Sequence, residues 1–408
     1  MQIQKTSFAV KARSILPLAD EQAARGAQLF ARLKSIDNGV LIVHEGRVVA
    51  LGKAREISLP ADCQLTDLGA VSLIPGTINA HTHLDLSYLA GKTTWRQGFS
   101  AWLKSMIPLL PRGQVAQETL AQAIHKACQS LAAYGTSHVG NIAGSADHLL
   151  ALTDTYAQEA GFGISHFCEC FGFANHADST EDQFWPPFVR RDLQEQPELA
   201  ARVAPAGHAL YSTSSAKLRQ AKQFCRKHSR VFSLHLAESP EETEMLTLGR
   251  GSLYEIFRQS VLPETWQAPG KRPLAYACQL GLLGSGTLAV HGVDLTSQEA
   301  QVLAASGTAL CLCPRSNEHL AVGSADVKTL MSENVLLCLG TDGLSSNTDL
   351  DVCQEALYLR EHADIPLEAL VRMLTVNAAR ALGLGKQVGR LIPGSPAVFS
   401  ILPQELRF

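Results

Sequence analysis

Short apolar runs alternate with stretches of helical periodicity through the middle of this 408-residue chain. Eight runs can be recognised, at 71–80, 136–143, 163–173, 202–211, 231–238, 287–293, 308–314 and 335–343. The segments between them favour helices; residues 114–135, for instance, carry apolar side chains at helical spacing and close on a glycine. Eight strand–helix units predict an α/β chain built around a parallel (β/α)8 barrel of the TIM type. A doubly wound open sheet competes, but no glycine-rich phosphate turn follows the first run.

The two ends of the chain have a different, strand-rich pattern. Residues 39–52 contain two β-rich runs on either side of Glu45-Gly46, which is a hairpin signal, and residues 389–402 are again strand-like. We therefore expect a small β-sandwich domain from residues 1–73 plus 389–408, and the barrel from residues 74–388. Residues 20–35 have a more helical pattern that neither domain explains.

Composition narrows the class of protein. Hydrophobic residues make up 46% and charged residues 18%, which is enough for a large core and excludes wholesale disorder. The net charge is −3 with no basic stripe, so we expect no nucleic-acid partner. The first residues include no apolar run typical of a secretory leader, so we expect no secretory signal, and no apolar run reaches the roughly 18 residues of a membrane span. The ten scattered cysteines contain no Cys-x-x-Cys, which indicates reduced, core-filling thiols in a cytoplasmic protein.

Titratable side chains collect where the predicted strands end. Because catalytic groups of such a barrel lie at the carboxyl ends of its strands, these residues should meet in one layer. They are His81 and His83, His208, His235 with Glu238, His291, and Asp342.

The His81-Thr82-His83 segment is the clearest metal signal. Residues two apart on a strand point the same way, so both imidazoles would face the barrel mouth. Imidazoles plus a carboxylate suit a divalent metal such as zinc, and His235 and Asp342 would complete the set with a position left for water. Taken singly, these histidines could equally be hydrogen-bonded core residues, and Asp342 could be a turn or cap residue. Their joint placement favours the metal site.

Several motifs resemble the amidohydrolase superfamily, in its branch of aminohydrolases that act on nucleosides and N-heterocycles. The matching segments are PGTINAHTHLDLS (75–87), HLAES (235–239), His291, CPRSNEHLAVG (313–323) and LGTDGLSSN (339–347). The resemblance implies one divalent ion, zinc by default and iron or manganese as alternatives, held by His81, His83, His235 and Asp342. Strand 4 ends in His208, where two-metal members have Lys or Glu, so a mononuclear site is expected.

The resemblance also implies roles for the remaining polar residues. Asp342 would accept a proton from the attacking water, and Glu238 would shuttle protons between the ring and the departing amine. His291 would hydrogen-bond the water or the group developing at the attacked carbon. His208 would bind substrate. Ser316 follows strand 7 and could contact substrate or cap the loop.

The long segment after the first strand, 89–113, offers clues to the substrate. Trp95 could wall a pocket for a flat ring, and Arg96 and Gln97 could hold a sugar or carboxylate. Trp102 fits the core of a helix at the spacing of Phe99, Trp102 and Met106, and we favour that interpretation over a pocket wall.

The resemblance leaves several reactions open. Methylthioadenosine/S-adenosylhomocysteine deaminases have a ribose-binding Glu where this chain has Pro111, and HTHLDLS with GFSAW favours 6-amino-6-deoxyfutalosine as the substrate, in menaquinone biosynthesis. Adenosine-type, guanine and cytosine deamination, dechlorination and opening of a cyclic amide remain alternatives, as does a non-catalytic scaffold. The expected partner is a small molecule, and a homodimer fits the branch.

Overall fold

The computed structural model describes residues 7–19, 23–110, 117–144, 149–173 and 185–406. The strands at the beginning of the chain are β1 (Ser7–Ile15), β2 (Ile36–His44), β3 (Arg47–Lys53), β4 (Gln64–Asp67) and β5 (Ser72–Pro75). The next eight are β6 (Thr77–Thr82), β7 (Thr136–Ala143), β8 (Gly163–Cys170), β9 (Val203–Ala209), β10 (Phe232–Leu236), β11 (Thr287–His291), β12 (Ala309–Leu312) and β13 (Leu336–Leu339). The last is β14 (Phe399–Ile401).

Helices separate most of the later strands. The first seven are α1 (Phe99–Met106), α2 (Gln117–Ala133), α3 (Leu150–Ala160), α4 (Pro187–Glu195), α5 (Ser215–Lys227), α6 (Pro240–Leu248) and α7 (Ser252–Arg258). The others are α8 (Pro273–Gln279), α9 (Ser297–Ser306), α10 (Pro314–Leu320), α11 (Val327–Ser332), α12 (Val352–Ala363), α13 (Leu367–Leu374) and α14 (Val376–Ala381). Within the described ranges, no helix has both the length and the apolar character needed to cross a bilayer.

Strands β6 to β13 form one parallel sheet in chain order, which confirms the predicted (β/α)8 barrel. The last strand returns to the first: the backbone N–H of Asp342 donates to the carbonyl of His81 at 3.1 Å, and that of His83 donates to the carbonyl of Asp342 at 2.8 Å. The sheet is thus joined where predicted metal ligands lie. Buried Leu, Val, Ile and Ala side chains from the strands and helices fill its core.

The first apolar run, 71–80, is two strands rather than one. Strand β5 belongs to the small sheet and β6 begins the barrel, with Gly76 between them. A Cβ on Gly76 would lie 2.6 Å from that of Ser137, so the chain passes too close to β7 for a side chain.

A second sheet contains β1 to β5 and β14 and brings the two ends of the chain together. Strand β14 pairs antiparallel with β5, and β2 pairs antiparallel with β3 across the predicted hairpin. Both turn residues, Glu45 and Gly46, have positive φ (49° and 72°), as a tight two-residue hairpin requires. This sheet is compatible with the predicted small β domain, whose exact boundaries stay a prediction.

The unexplained segment near the N-terminus docks on the barrel. Residues 20–22 lie outside the described residues, and Gly26–Phe30 forms a 3₁₀ helix. The Asn377 side chain accepts from the backbone N–H of Ala24 at 2.8 Å and donates to its carbonyl at 3.0 Å, and Arg372 donates to the carbonyl of Leu29. The segment therefore packs against α13 and α14.

Candidate metal and substrate site

The predicted side chains converge at the carboxyl ends of the barrel strands. Nε2 of His81 lies 3.3 Å from Oδ1 of Asp342, and Nε2 of His83 lies 3.4 Å from the same oxygen. Nε2 of His83 is also 3.3 Å from Nε2 of His235. One ligand atom from each of His81, His235, His291 and Asp342 lies within 4.8 Å of the others, all four residues being buried.

Local backbone geometry sets these positions. Asp342 and His291 have φ values of 61° and 74°, a region that non-glycine residues rarely occupy and that is common at functional sites. Gly340 precedes Asp342 at the seam between β13 and β6. A Cβ there would lie 2.8 Å from both the N and the O of His81, so only glycine lets the two strands approach this closely.

Outer hydrogen bonds orient the rings and the carboxylate. Nδ1 of His235 donates to the carbonyl of His208 at 2.7 Å, which leaves Nε2 for an ion. Nδ1 of His291 likewise contacts Oδ1 of Asn317 at 2.9 Å. Oδ2 of Asp342 accepts from Ser316 at 2.7 Å and also from Ser346, so Oδ1 is the oxygen turned towards the histidines.

The donor set fits a divalent metal. Burial lowers the pKa of His81 to about 4 and lowers the pKa values of His235 and His291, so these imidazoles are neutral and have a lone pair for an ion. In the part of the chain that the structure describes, Nε2 of His81 and Nε2 of His291 are buried without a hydrogen-bond partner. Such orphaned nitrogens are costly unless an ion or a ligand satisfies them.

Glu238 stands beside this cluster. Its Oε1 lies 3.5 Å from Nε2 of His291, and the side chain faces the same cavity as His83 and Asp342. Burial raises the pKa of Glu238 to about 8, which favours the protonated form of the carboxyl. The carboxyl of Glu242 accepts a hydrogen bond from the backbone N–H of Glu238 at 2.8 Å, which helps to fix the backbone of Glu238.

A cavity of about 270 Å³ opens over these residues. One wall is the apolar face of α1, and Trp102 belongs to it. The indole is buried, as the helix-core interpretation predicts; it stacks on Phe99 and donates to the carbonyl of Ser345 at 2.8 Å. The same face therefore packs the helix and lines the cavity. The other wall includes His208, whose pKa is lowered by burial to about 3.

The structure does not bring the other predicted substrate contacts into this cavity. Trp95 is 46% exposed and packs on His319, Arg96 pairs with Glu318, and Gln97 is exposed. Ser316 donates a hydrogen bond to Oδ2 of Asp342 and does not line the cavity. Pro111 lies outside the described residues. These residues were inferred from loop position alone, which does not define side-chain direction.

Sequence reasoning missed several cavity residues. Glu169, Phe171, Tyr211 and Asp85 line the cavity without having been assigned to it. Glu169 lies between Cys168 and Cys170, which were interpreted as core-filling and are indeed buried. The alternation of that strand was the available signal: if both cysteines face the core, the glutamate between them faces the opposite side.

Comparisons with known proteins agree with this geometry. The model of the amidohydrolase family matches residues 72–406. The chain belongs to the amidohydrolase family. Among the relatives, the 5-methylthioadenosine/S-adenosylhomocysteine deaminase of Nitratidesulfovibrio vulgaris is 28% identical over 381 residues, covering 90% of this chain and 80% of the relative. The aminodeoxyfutalosine deaminase of Deinococcus radiodurans is 26% identical over 353 residues, covering 85% and 81%.

A solved structure supports the fold. The structure of an adenosine deaminase from Xanthomonas campestris with bound zinc has a TM-score of 0.74 and 22% identity, covering 97% of this chain and 84% of that one. The match to the family model confirms the family resemblance inferred from the strand-end motifs.

Proposed function

We propose that this amidohydrolase is a metal-dependent nucleoside deaminase, which replaces the amino group of a purine-type ring by oxygen and releases ammonia. The observation that carries the proposal is the placement of the Glu238 carboxyl beside a buried cluster of histidines and an aspartate, at one cavity. Relatives named as deaminases of adenine-type nucleosides support the reaction class.

The metal site would be formed by His81, His83, His235 and Asp342, with His291 next to it. A divalent ion held there, zinc by the chemistry of the donor set, would activate water as a nucleophile at neutral pH. Oδ1 of Asp342 is the oxygen placed to take a proton from that water, because Oδ2 is occupied by Ser316 and Ser346.

Glu238 would be the proton donor to the substrate ring. Its carboxyl donates to the ring nitrogen next to the attacked carbon, which draws electrons away from that carbon as oxygen adds. The departing amine takes the water proton accepted by Asp342 and leaves as ammonia. The second water proton passes from the added oxygen to Glu238 and restores its carboxyl, so the net result is one proton on the ring nitrogen and one on ammonia. His291, 3.5 Å from Glu238, is placed to hydrogen-bond the oxygen at the reacting carbon.

The first candidate substrate is 6-amino-6-deoxyfutalosine, which would place the chain in menaquinone biosynthesis in the cytoplasm. Methylthioadenosine, S-adenosylhomocysteine and adenosine form the second candidate group, favoured by the relative from Nitratidesulfovibrio vulgaris. All of them present an aminated purine ring that the apolar face of α1 could cover.

An ammonia-release screen tests the proposal. The zinc-loaded chain is assayed with 6-amino-6-deoxyfutalosine, adenosine, methylthioadenosine, S-adenosylhomocysteine, guanine, cytosine and a chlorinated triazine, and metal content is measured on the same sample. We expect ammonia from at least one aminated purine nucleoside. Chloride release alone, or no turnover of any aminated ring by metal-loaded protein, would overturn it.

A further inference from the structure

The carboxyl of Glu169 is a buried polar group that the reaction described above does not use. It stands at the end of β8, is 9% exposed and lines the cavity. Its Oε1 has no hydrogen-bond partner among the residues that the structure describes. Nδ1 of His235 is 3.7 Å away, but that nitrogen already donates to the carbonyl of His208 at 2.7 Å.

The surroundings keep this carboxyl aimed into the cavity. Cys168 and Cys170, on either side of it, are buried at 0% and 2% exposure. Across the cavity wall, a Cβ on Gly144 would lie 2.5 Å from Oε2 of Glu169, so the glycine leaves room for the carboxyl. A buried carboxyl oxygen without a partner costs free energy, which a ligand with a hydrogen-bond donor would recover.

The lining of the cavity restricts which ligand group can be that donor. Its walls include Asp85, Glu169, Glu238 and Asp342, and no lysine or arginine from the described ranges lines it. A deprotonated acidic group has no hydrogen to donate to the Glu169 oxygen and meets no cationic side chain among the described lining residues, whereas a hydroxyl can donate. Glu169 is also two strands from Glu238 in the barrel order β8-β9-β10, with His208 on the strand between them. The two glutamates can thus contact different parts of one substrate.

We infer that Glu169 is a specificity-determining residue that accepts a hydrogen bond from a sugar hydroxyl of the nucleoside, while Glu238 donates a proton to the ring. This rests on the proposed function, since it takes the substrate to be a nucleoside. A site built to bind a hydroxyl discriminates strongly against an analogue that lacks it, because the buried partner is then left unsatisfied. Glu169 is therefore expected to reject sugar-deoxygenated nucleosides.

The test compares Glu169→Leu with wild type on two substrates that differ only at the sugar. These are 5′-deoxyadenosine, which keeps both ring hydroxyls, and 2′,3′,5′-trideoxyadenosine, which has none. For Glu169→Leu we expect kcat/KM for 5′-deoxyadenosine to fall by about 10- to 100-fold, the cost of leaving a buried hydroxyl without its hydrogen-bond partner, and kcat/KM for the trideoxy analogue to stay within about threefold. Cys170→Ala is the matched control on the same strand and should change kcat/KM for neither substrate.

Metal content and direct binding separate the outcomes. If Glu169 acted only through His235, both substrates would lose activity equally and zinc affinity would fall, which would overturn the inference.

Calorimetric binding of 5′-deoxyinosine and its 2′,3′-dideoxy analogue repeats the comparison of sugars without depending on catalytic turnover. Wild type that binds 5′-deoxyinosine but releases no ammonia from any nucleoside refutes the proposed function, while the effect of Glu169→Leu on binding still decides the role of Glu169. Wild type that binds neither compound refutes both.

Discussion

The hydroxyls behind Asp342 offer a direct test of how the site is held together. Ser316 and Ser346 are both 0% exposed, their oxygens are 2.9 Å apart, and each is in contact with Oδ2 of Asp342. If Ser346 is changed to Ala, Ser316 can still donate its single proton to Oδ2, and the converse also holds. The double variant removes the last donor from a buried carboxylate oxygen.

The magnitude follows from that count of donors. A buried acceptor that loses its last hydrogen bond to a charged group costs about 2–3 kcal/mol, which corresponds to about 30- to 150-fold in an equilibrium constant. In the metal-free protein the Asp342 carboxylate can turn to another partner, whereas a bound ion fixes its orientation, so this cost falls on the metal-bound form. We therefore expect each single Ser→Ala change to weaken zinc binding by less than about tenfold. The double variant should weaken it by about a hundredfold, which is more than the product of the two single effects.

Competition with a chromogenic chelator measures the zinc affinity of each variant. Ser400→Ala is the matched control, because Ser400 is also buried, donates to the carbonyl of Gly135 at 2.7 Å and accepts from Thr77 at 2.9 Å, yet lies away from the site. It should lower stability and leave zinc affinity unchanged. A double variant whose zinc affinity stays within threefold of wild type would refute the role given to the serine pair.

Three further predictions address the proton shuttle, the barrel seam and the response to acid. Glu238→Gln should keep its zinc content and lose about 10²- to 10⁴-fold in kcat, and turnover near that of wild type would contradict its role as a proton donor. Gly340→Ala should lower the free energy of unfolding by about 1–3 kcal/mol in denaturant titrations, because its Cβ would meet the backbone of His81 at 2.8 Å. Gly286→Ala, whose Cβ has no neighbour closer than 3.7 Å, should cost much less. His138 is buried beside His166, and burial lowers its pKa from 6.5 to about 4. The unfolded chain therefore takes up the proton first, and stability should fall as the pH drops from 6.5 to 4, by up to about 3 kcal/mol from this residue. His138→Asn should flatten that part of the profile, and an unchanged profile would show that His138 is not the cause.

The site residues at the strand ends could be predicted from the sequence because the fold repeats one strand–helix unit. Every predicted barrel run contains an observed strand, and His81, His235, His291 and Asp342 lie together as their positions at the ends of those runs predicted. Parallel strands bring their carboxyl ends to one edge, so the order of residues along the chain determines which side chains share that edge. The hairpin at Glu45-Gly46 was readable for a similar local reason, namely a turn that needs positive φ.

Contacts between distant segments were decided only by the tertiary structure. The sequence did not show that Gly340 lies against His81, that Ser316 turns towards Asp342 rather than the cavity, or that Trp95 faces solvent. Each depends on side-chain directions in loops, which no periodicity specifies. Together with the strand-end positions of His235 and Asp342, the His81-Thr82-His83 pattern predicted the ligand type, imidazole plus carboxylate for a divalent ion. That Oε1 of Glu169 lacks a hydrogen-bond partner among the described residues followed only from packing, because hydrogen-bond partners are set by distance in space and not along the chain.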